Sequence, residues 1–312
     1  VNNLIGNYQS VNNLIHRFPE DLFPPSVDVR TDYYKAIIEG SEVCLRSNVV
    51  ITGLCRNIMN VLPQTAARLR KTAELFKEAK ILIYENDSDD GTSEALREEF
   101  YGDNNVILKQ DTTGHKMYGK TRELDRPMYL GKLRQMCNGW IRDINKFFPV
   151  DYVVVIDLDL DGGWSYDGIL NSFGHDHWSA MTANGFEYKE KKIESEQGVE
   201  YLEYERLFFD TFAYKKYGSW AVLDSEETNR LSFERGEDPF RVYSNFNGVG
   251  IYKYEDMIDC TFGAHQNPDG TVINEWSFMH NQMIKNGCDI YLNPSLITLY
   301  SPTEYSNLGQ QC

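Results

Sequence analysis

Four short apolar runs separated by helical segments constrain this chain more than any other feature. NVVITGL begins at residue 48, KILIYE at 80, NVILKQ at 105 and YVVVI at 152. A strand with one face in water alternates apolar and polar side chains, so runs without that alternation imply burial on both faces. After the first run, Ile58, Leu62, Ala66, Leu69, Ala73 and Phe76 recur at helical spacing. Asn57 or Asn60 can cap that helix, and Pro63 is tolerated because it falls near the first turn. SEALREEF, capped by Thr92 or Ser93, and a longer stretch over 127–147 are the next helices. Strands joined through helices predict right-handed crossovers and an α/β fold, with a mostly parallel central sheet and helices on both faces.

The C-terminal half reads as embellished. EKKIESEQGVEYLEYE (190–205) is charged and poorly periodic, a mobile loop or an excursion hairpin. YSNFNGVGIYKYEDM (243–257) reads as a glycine-interrupted strand running into a helix start. INEWSFMHNQMIKNG predicts a helix stopped at Gly287, followed by the strand CDIYLNPSL. Ahead of the first strand, FPEDLFPPS breaks the chain and TDYYKAIIEGSEVCL is weakly helical. Residues 1–47 are therefore expected to be an extension packed on the core, and 48–312 a single domain.

The net charge of −16 argues against nucleic acid or an anionic membrane as the main partner. It leaves room for a small phosphate-bearing ligand, because one divalent cation reverses the local field. An aromatic share of 13%, with 20 Tyr, suits the faces of sugars and bases. Cysteines 44, 55, 137, 260, 288 and 312 show no CxxC spacing, which predicts reduced thiols and a reducing, cytoplasmic setting. No run approaches ~18 apolar residues, so no membrane span is expected. The chain starts with Val, which leaves a removed N-terminal anchor open.

Behind YVVVI comes DLDLDGG (157–163), with Asp157, Asp159 and Asp161 at alternate positions. The pattern matches the start of a calcium loop, yet Gly168 stands where such a loop needs Glu, and a strand leads into it. An apolar strand followed by D-x-D also fits an aspartate-nucleophile phosphatase, in which the charge of Asp161 would oppose attack on phosphate. A solvated strand end is the plain reading, since exposed carboxylates repel by only roughly a few tenths of a kcal/mol per pair. Finally, ligands gather at the carboxyl ends of strands in open parallel sheets. Hard oxygens there suit Mg²⁺ or Mn²⁺ shared with substrate phosphates, with Asp157 and Asp159 as the natural pair.

Other residues are candidates by position. Glu275, at a helix start, is the candidate catalytic or acceptor-orienting carboxylate, although Glu is favoured at helix N-termini anyway. His280 on the same helix could reach a metal or a diphosphate, and His265 lies in the loop GAHQNPDG. HDHW (175–178) resembles zinc ligation without a second pair and reads as loop capping or acceptor contact. Asn247 and Gly248 would let backbone approach a sugar. Thr52 and Arg56 close the first strand and would border a nucleotide.

Together these segments resemble a GT-A-type glycosyltransferase, the nucleotide-sugar-dependent class marked by Asp-x-Asp after an apolar strand. ILIYENDSDDGT resembles that class's second strand and acidic turn, which implies Glu85 facing the base or ribose and Asp90, Gly91 and Thr92 shaping the turn. DRPMYLGKLRQMCNGW resembles the helix that meets the donor diphosphate, nominating Arg126 and Arg134 with Lys132 beside them. The order of PFRVYSNFNGVGIY, NEWSFMHNQMIKNG and IYLNPSLITLY is similar to the fungal capsule-associated mannosyltransferase family and its bacterial and viral relatives. That likeness covers roughly residues 48–302, and DLDLD is more acidic than the fungal variant.

The resemblance implies a Rossmann-like GT-A domain moving a hexose, in mannosyltransferase fashion, from a GDP- or UDP-sugar to a glycan or small acceptor in polysaccharide biosynthesis. Mn²⁺ or Mg²⁺ would be held by Asp157, Asp159, Asp161 and His280. Asn247, Gly248 and Trp276 would lie near the sugar or acceptor. An aspartate-nucleophile phosphatase or phosphotransferase, and a non-enzymatic carbohydrate- or calcium-binding module, stay open as alternatives.

Overall fold

The computed structural model describes residues 18, 20–115, 118–119, 121–194, 200–223 and 225–300. A 3-10 turn (Glu20–Leu22) and α1 (Arg30–Cys44) precede β1 (Asn48–Cys55). Then come α2 (Leu62–Ala73), β2 (Glu78–Asn86), α3 (Thr92–Glu99), β3 (Val106–Asp111), α4 (Asp125–Asn145) and β4 (Tyr152–Ile156). The next elements are β5 (Gly163–Trp164), α5 (Tyr166–Phe173), β6 (Ala180–Glu194), β7 (Glu200–Phe208), β8 (Lys215–Lys216) and α6 (Ser225–Asn229). The chain ends with β9 (Phe240–Ser244), β10 (Val249–Lys253), α7 (Tyr254–Met257), β11 (His265–Gln266), β12 (Val272–Ile273), α8 (Glu275–Lys285) and β13 (Ile290–Leu299).

The strand order β3-β2-β1-β4-β10-β6-β13-β9-β8 makes an α/β fold around one mixed sheet. β3, β2, β1 and β4 are all parallel, as their unbroken apolar runs predict. β10 enters antiparallel between β4 and β6, while β6 and β13 run parallel. Alternation along the strands separates two cores. Val49, Ile51, Ile81, Ile83, Val154 and Ile156 face one, with Leu62, Ala66 and Leu69 of α2, Leu96 of α3 and Ile169 of α5. Val50, Leu82, Tyr84, Val153 and Val155 face the other, with Leu133, Cys137 and Ile141 of α4 and Met279 and Met283 of α8. Helices thus cover both faces of the parallel half, and both sets of alternate side chains leave water.

Some local expectations change. α2 starts at Leu62 behind Val61 with no side-chain cap, and Pro63 sits in its first turn. Neither Asn57 nor Asn60 caps it. Asn57 adopts φ +55° and its side chain accepts a hydrogen bond from the Asp89 amide, tying the ends of β1 and β2 together. In the charged segment 190–205 the described residues belong to β6 and β7, which pair antiparallel as an excursion hairpin, and 195–199 lie outside the described residues. YSNFNGVGIY is not one strand. Asn247 and Gly248 both take positive φ, so the chain turns between β9 and β10, which pair with different neighbours.

Ahead of β1, α1 packs on α5, and Cys44 joins the first core. Glu20 accepts hydrogen bonds from the Ser165 hydroxyl, the Asp167 amide and Arg235. Cys44, Cys55, Cys137, Cys260 and Cys288 are buried thiols without disulfides, while Cys312 lies outside the described residues. Among the described residues no helix is long and apolar enough to cross a membrane.

Candidate functional site

A cleft of about 410 Å³ opens at the carboxyl ends of the parallel strands. Its wall comes from Leu54 and Cys55 at the end of β1 and Arg56 behind it, Asn86 at the end of β2, and Asp157 and Asp159 behind β4. Arg126, Tyr129 and Arg134 of α4, Asn274, Glu275 and Trp276 at the start of α8, and the 209–212 loop complete it with Tyr300. The convergence follows from topology: parallel strands end on one side, and the crossover helix α4 starts there.

Strand parity decides what Asp157 meets. Val153 and Val155 face the α4 side, so Asp157 continues that row while Leu158 and Leu160 return to the opposite core. Its amide donates to Gly248 O (2.8 Å), prolonging the β4–β10 pairing by one residue. Asp157 Oδ1 accepts from Arg134 Nη2 (3.2 Å) and Oδ2 accepts from the Tyr300 hydroxyl (3.3 Å). Burial pushes this carboxyl up to about 7 against the pull of Arg134, with the charge of Asp159 adding to the rise.

Arg134 is the hub. Its guanidinium lies over the stacked rings of Trp276 and Phe246, 4.4 and 5.1 Å from their centroids. Its Nε stands 3.6 Å from Glu275 Oε1, an ion pair too long for a hydrogen bond. Nε and Nη1 are buried and have no hydrogen-bond partner. Burial disfavours the charge, but Asp157 and Glu275 outweigh it and hold Arg134 firmly protonated. Glu275 is the first residue of α8, whose cap Asn274 accepts from the Ser277 amide (2.9 Å). Burial raises the Glu275 carboxyl and Arg134 opposes the rise.

The cleft thus gathers Arg56, Arg126, Arg134, Asp157, Asp159, Glu275 and Trp276 from the sequence candidates. Trp276 is only 2% exposed, with one face under Phe246. The others do not line it. Glu85 is buried and accepts from the Ser88 amide, and Asp90 accepts from the Met59 and Thr92 amides, so both shape the β2–α3 turn. Thr52 lies deeper, beside Cys137. Asp161 turns away towards Arg68, which donates to its backbone oxygen. Asn247 is fully buried beneath the cleft and Gly248 sits behind Tyr300.

His280 is also fully buried. Its ring nitrogens meet Ser244 Oγ (3.0 Å) and the Tyr252 hydroxyl (3.1 Å), behind Trp276, and burial lowers it to about 3. His265 faces solvent in the β11–β12 hairpin, and Lys132 is exposed on α4. His175 and His177 flank the turn into β6, where Trp178 donates to His175 O and packs on Tyr152 and Phe173.

Sequence reading missed Asp210, Tyr300, Arg122, Asn86 and Tyr129. Arg122 donates to Thr211 Oγ1 (2.6 Å) and joins helix α4's approach to the 209–212 loop. Asn86 donates to the Tyr129 hydroxyl (3.0 Å) across the outer wall. Arg122 lies four residues before Arg126, a spacing that hinted at it. Asp210 and Tyr300 carry no local signal, because tertiary pairing alone brings them in.

Among the described residues no group of three or more His, Cys, Asp or Glu could cage a metal. Asp157 and Asp159 nevertheless fit a hard divalent ion that takes its other ligands from a substrate, since Mg²⁺ and Mn²⁺ need only one or two carboxylates in such sites. Asp159 is exposed on the cleft wall.

No protein-family model and no curated protein matches the chain. Solved structures do. GalNAc-T7 with UDP, GalNAc and Mn²⁺ is 9% identical, with a TM-score of 0.40, over 82% of this chain and 44% of its own. The Pyrobaculum calidifontis mannosyltransferase PcManGT, in complex with GDP-Man and Mn²⁺, is 10% identical with a TM-score of 0.39, over 88% and 66%. S. aureus TarS 1–349 is 11% identical with a TM-score of 0.41, over 85% and 64%. This chain therefore spans less than two thirds of each of the three. These are distant likenesses of fold, and no activity passes from them to this chain.

Proposed function

We propose that this chain is a GT-A-type glycosyltransferase that uses a nucleoside-diphosphate sugar as donor. One observation carries the reading: Arg134 is buried at the cleft floor with two N–H donors unpaired. A buried donor left unpaired costs about 1–3 kcal/mol. A diphosphate oxygen in the cleft would satisfy Nη1, while Nε on another edge of the guanidinium faces Glu275 and Nη2 stays on Asp157. Arg126 and Arg56 lie on the same wall and would add to the field.

Asp157 and Asp159 would hold Mn²⁺ or Mg²⁺, which when bound neutralises the departing diphosphate as a Lewis acid. Arg134 grips the diphosphate, Glu275 and the Trp276–Phe246 stack hold Arg134 in place, and Tyr300 orients Asp157. Glu275, ion-paired with Arg134 at 3.6 Å, is assigned to the chemistry of transfer through that pair. Hexose identity, the mannosyl-type family and a role in polysaccharide biosynthesis rest on sequence resemblance and belong to this proposal.

The test is melting temperature with Mn²⁺ and either UDP or GDP. A rise in wild type that disappears in Asp159→Ala supports the assignment. No rise with either nucleotide, or turnover of a generic phosphomonoester abolished by Asp157→Asn, would sink it.

A further inference from the structure

We infer that Asp210 grips two adjacent hydroxyls of the sugar carried by the donor, and that this sugar is uncharged. The inference rests on the nucleoside-diphosphate-sugar reading and adds the recognition of the sugar itself. Asp210 lies on the cleft wall with Asp157, Glu275 and Tyr300, in the loop between β7 and β8. Its position is fixed from behind. Oδ1 accepts from the Ala213 amide (3.0 Å) and Oδ2 from the Asn247 amide (3.3 Å). In return the Asp210 amide donates to Asn247 Oδ1 (2.7 Å), so two backbones are clamped reciprocally.

Asn247 holds this clamp in the left-handed region at φ +54°, with its side-chain Nδ2 donating to Asn245 Oδ1 (3.0 Å). Asn tolerates this conformation better than other non-glycine residues, and here it frees both the backbone N–H and Oδ1 for the Asp210 loop. The next residue, Gly248, places its carbonyl on the Asp157 amide. One buried turn therefore sets the spacing between the diphosphate-end carboxylate and Asp210.

An ionised carboxylate offers about four acceptor sites, and the two amides take one on each oxygen. At least one acceptor site per oxygen is left, enough to accept from two adjacent hydroxyls of a pyranose. The neighbouring carboxylates differ in their commitments. Glu275 is 5% exposed and paired with Arg134, and Asp157 is held by Arg134 and Tyr300. Asp210 is held by neutral amides and stays part-exposed on the wall. Asp157 and Glu275 are offset by Arg134, but a sugar carboxylate set against Asp210 would bring two acceptors together with no donor between them, so acidic sugars are disfavoured at this end of the cleft.

The experiment compares affinities of UDP and GDP with those of UDP-GlcNAc, UDP-glucose, UDP-glucuronate and GDP-mannose, all with Mn²⁺, in wild type and Asp210→Asn. The variant should weaken the best neutral nucleotide sugar by ~10-fold or more and leave its parent diphosphate within about two-fold. UDP-glucuronate should bind wild type no better than UDP. A nucleotide sugar lacking one of the two hydroxyls, tested on wild type, should reproduce the loss without any substitution, which covers poor folding of the variant. Equal weakening of diphosphate and nucleotide sugar, loss of neither, or preference for the acidic sugar overturns the inference. Absence of binding by UDP and GDP in wild type instead overturns the donor reading beneath it.

Discussion

Replacing Arg134 with methionine should make the protein's stability strongly dependent on pH. Methionine keeps most of the volume over Trp276 and Phe246, so packing changes little. The electrostatics change completely. The Glu275 side chain is 6% exposed and that of Asp157 26%, and both face Arg134. Burial already raises both carboxyls against its pull. Without the guanidinium each is driven to take up a proton on folding. Holding a carboxyl protonated at pH 7, against an ordinary value near 4, costs about 1.4 kcal/mol per pH unit, or roughly 4 kcal/mol. For Glu275 that figure is an upper bound, since its carboxyl is already raised in wild type; Asp157 already stands near 7 beside Arg134, so losing the guanidinium adds little there.

The expected loss at pH 7 is therefore at most about 4 kcal/mol, within the range for breaking a buried pair from one side. The folded-state values lie above the unfolded ones, so the variant's native state holds more protons and its deficit grows as pH rises. Below about pH 4 the deficit vanishes, and by pH 5 it should shrink to roughly 1–2 kcal/mol. Urea denaturation of wild type and Arg134→Met at both pH values measures it. A deficit that is the same at pH 5 and pH 7 would refute the reasoning and leave Arg134 a packing residue.

Three further outcomes follow from the same geometry. His280 stays neutral in the fold until about pH 3 while the unfolded ring titrates near 6.5. Stability should therefore fall as pH drops below about 6.5, and His280→Phe should flatten that limb without changing the Mn²⁺-induced shift, read by denaturation and melting curves. Gly248→Ala places a methyl 2.6 Å from the Tyr300 hydroxyl at φ +85°, so it should cost about 1–2 kcal/mol in backbone strain alone and weaken Mn²⁺–nucleotide binding, measured by calorimetry. Because Asp157 is pushed to about 7, Mn²⁺–nucleotide binding at pH 6.5 should release about three quarters of a proton, falling towards none at pH 8; calorimetry in buffers of different ionisation enthalpy counts it.

The parallel half of the fold was legible because its strands are buried on both faces, so apolar runs and helical spacing agree over long stretches. β4 and the helix at 127–147 came out within two residues. Asp157, Asp159 and Glu275 could be nominated because each stands at a strand end or helix start, where topology puts ligands, whereas Arg134, inside α4, was nominated by family resemblance. Glu85 and Asp90 show the limit of that logic. They also stand at a strand end, but their carboxylates are used by backbone amides of the turn. His280 failed to reach the cleft because helix phase, invisible in a short apolar pattern, turns it into the core behind Trp276. Asp210 and Tyr300 were out of reach, since each meets Asp157 or Asn247 only through long-range contacts.

The pairing of Glu20 with Arg235 bears on where the domain can be trimmed. Glu20 belongs to the turn before α1, while Arg235 lies far along the chain with its side chain 3% exposed, and the two meet at the start of α5. Helix α1 fits α5 so closely that a Cβ at Gly40 would fall 1.8 Å from the Leu170 carbonyl oxygen. A shorter chain begun at Asn48 would leave Arg235 without its carboxylate and strip the cover from α5 and the core beneath it. The described residues from Glu20 to the first strand are thus a wall of the domain, and a chain trimmed to Asn48 should lose stability.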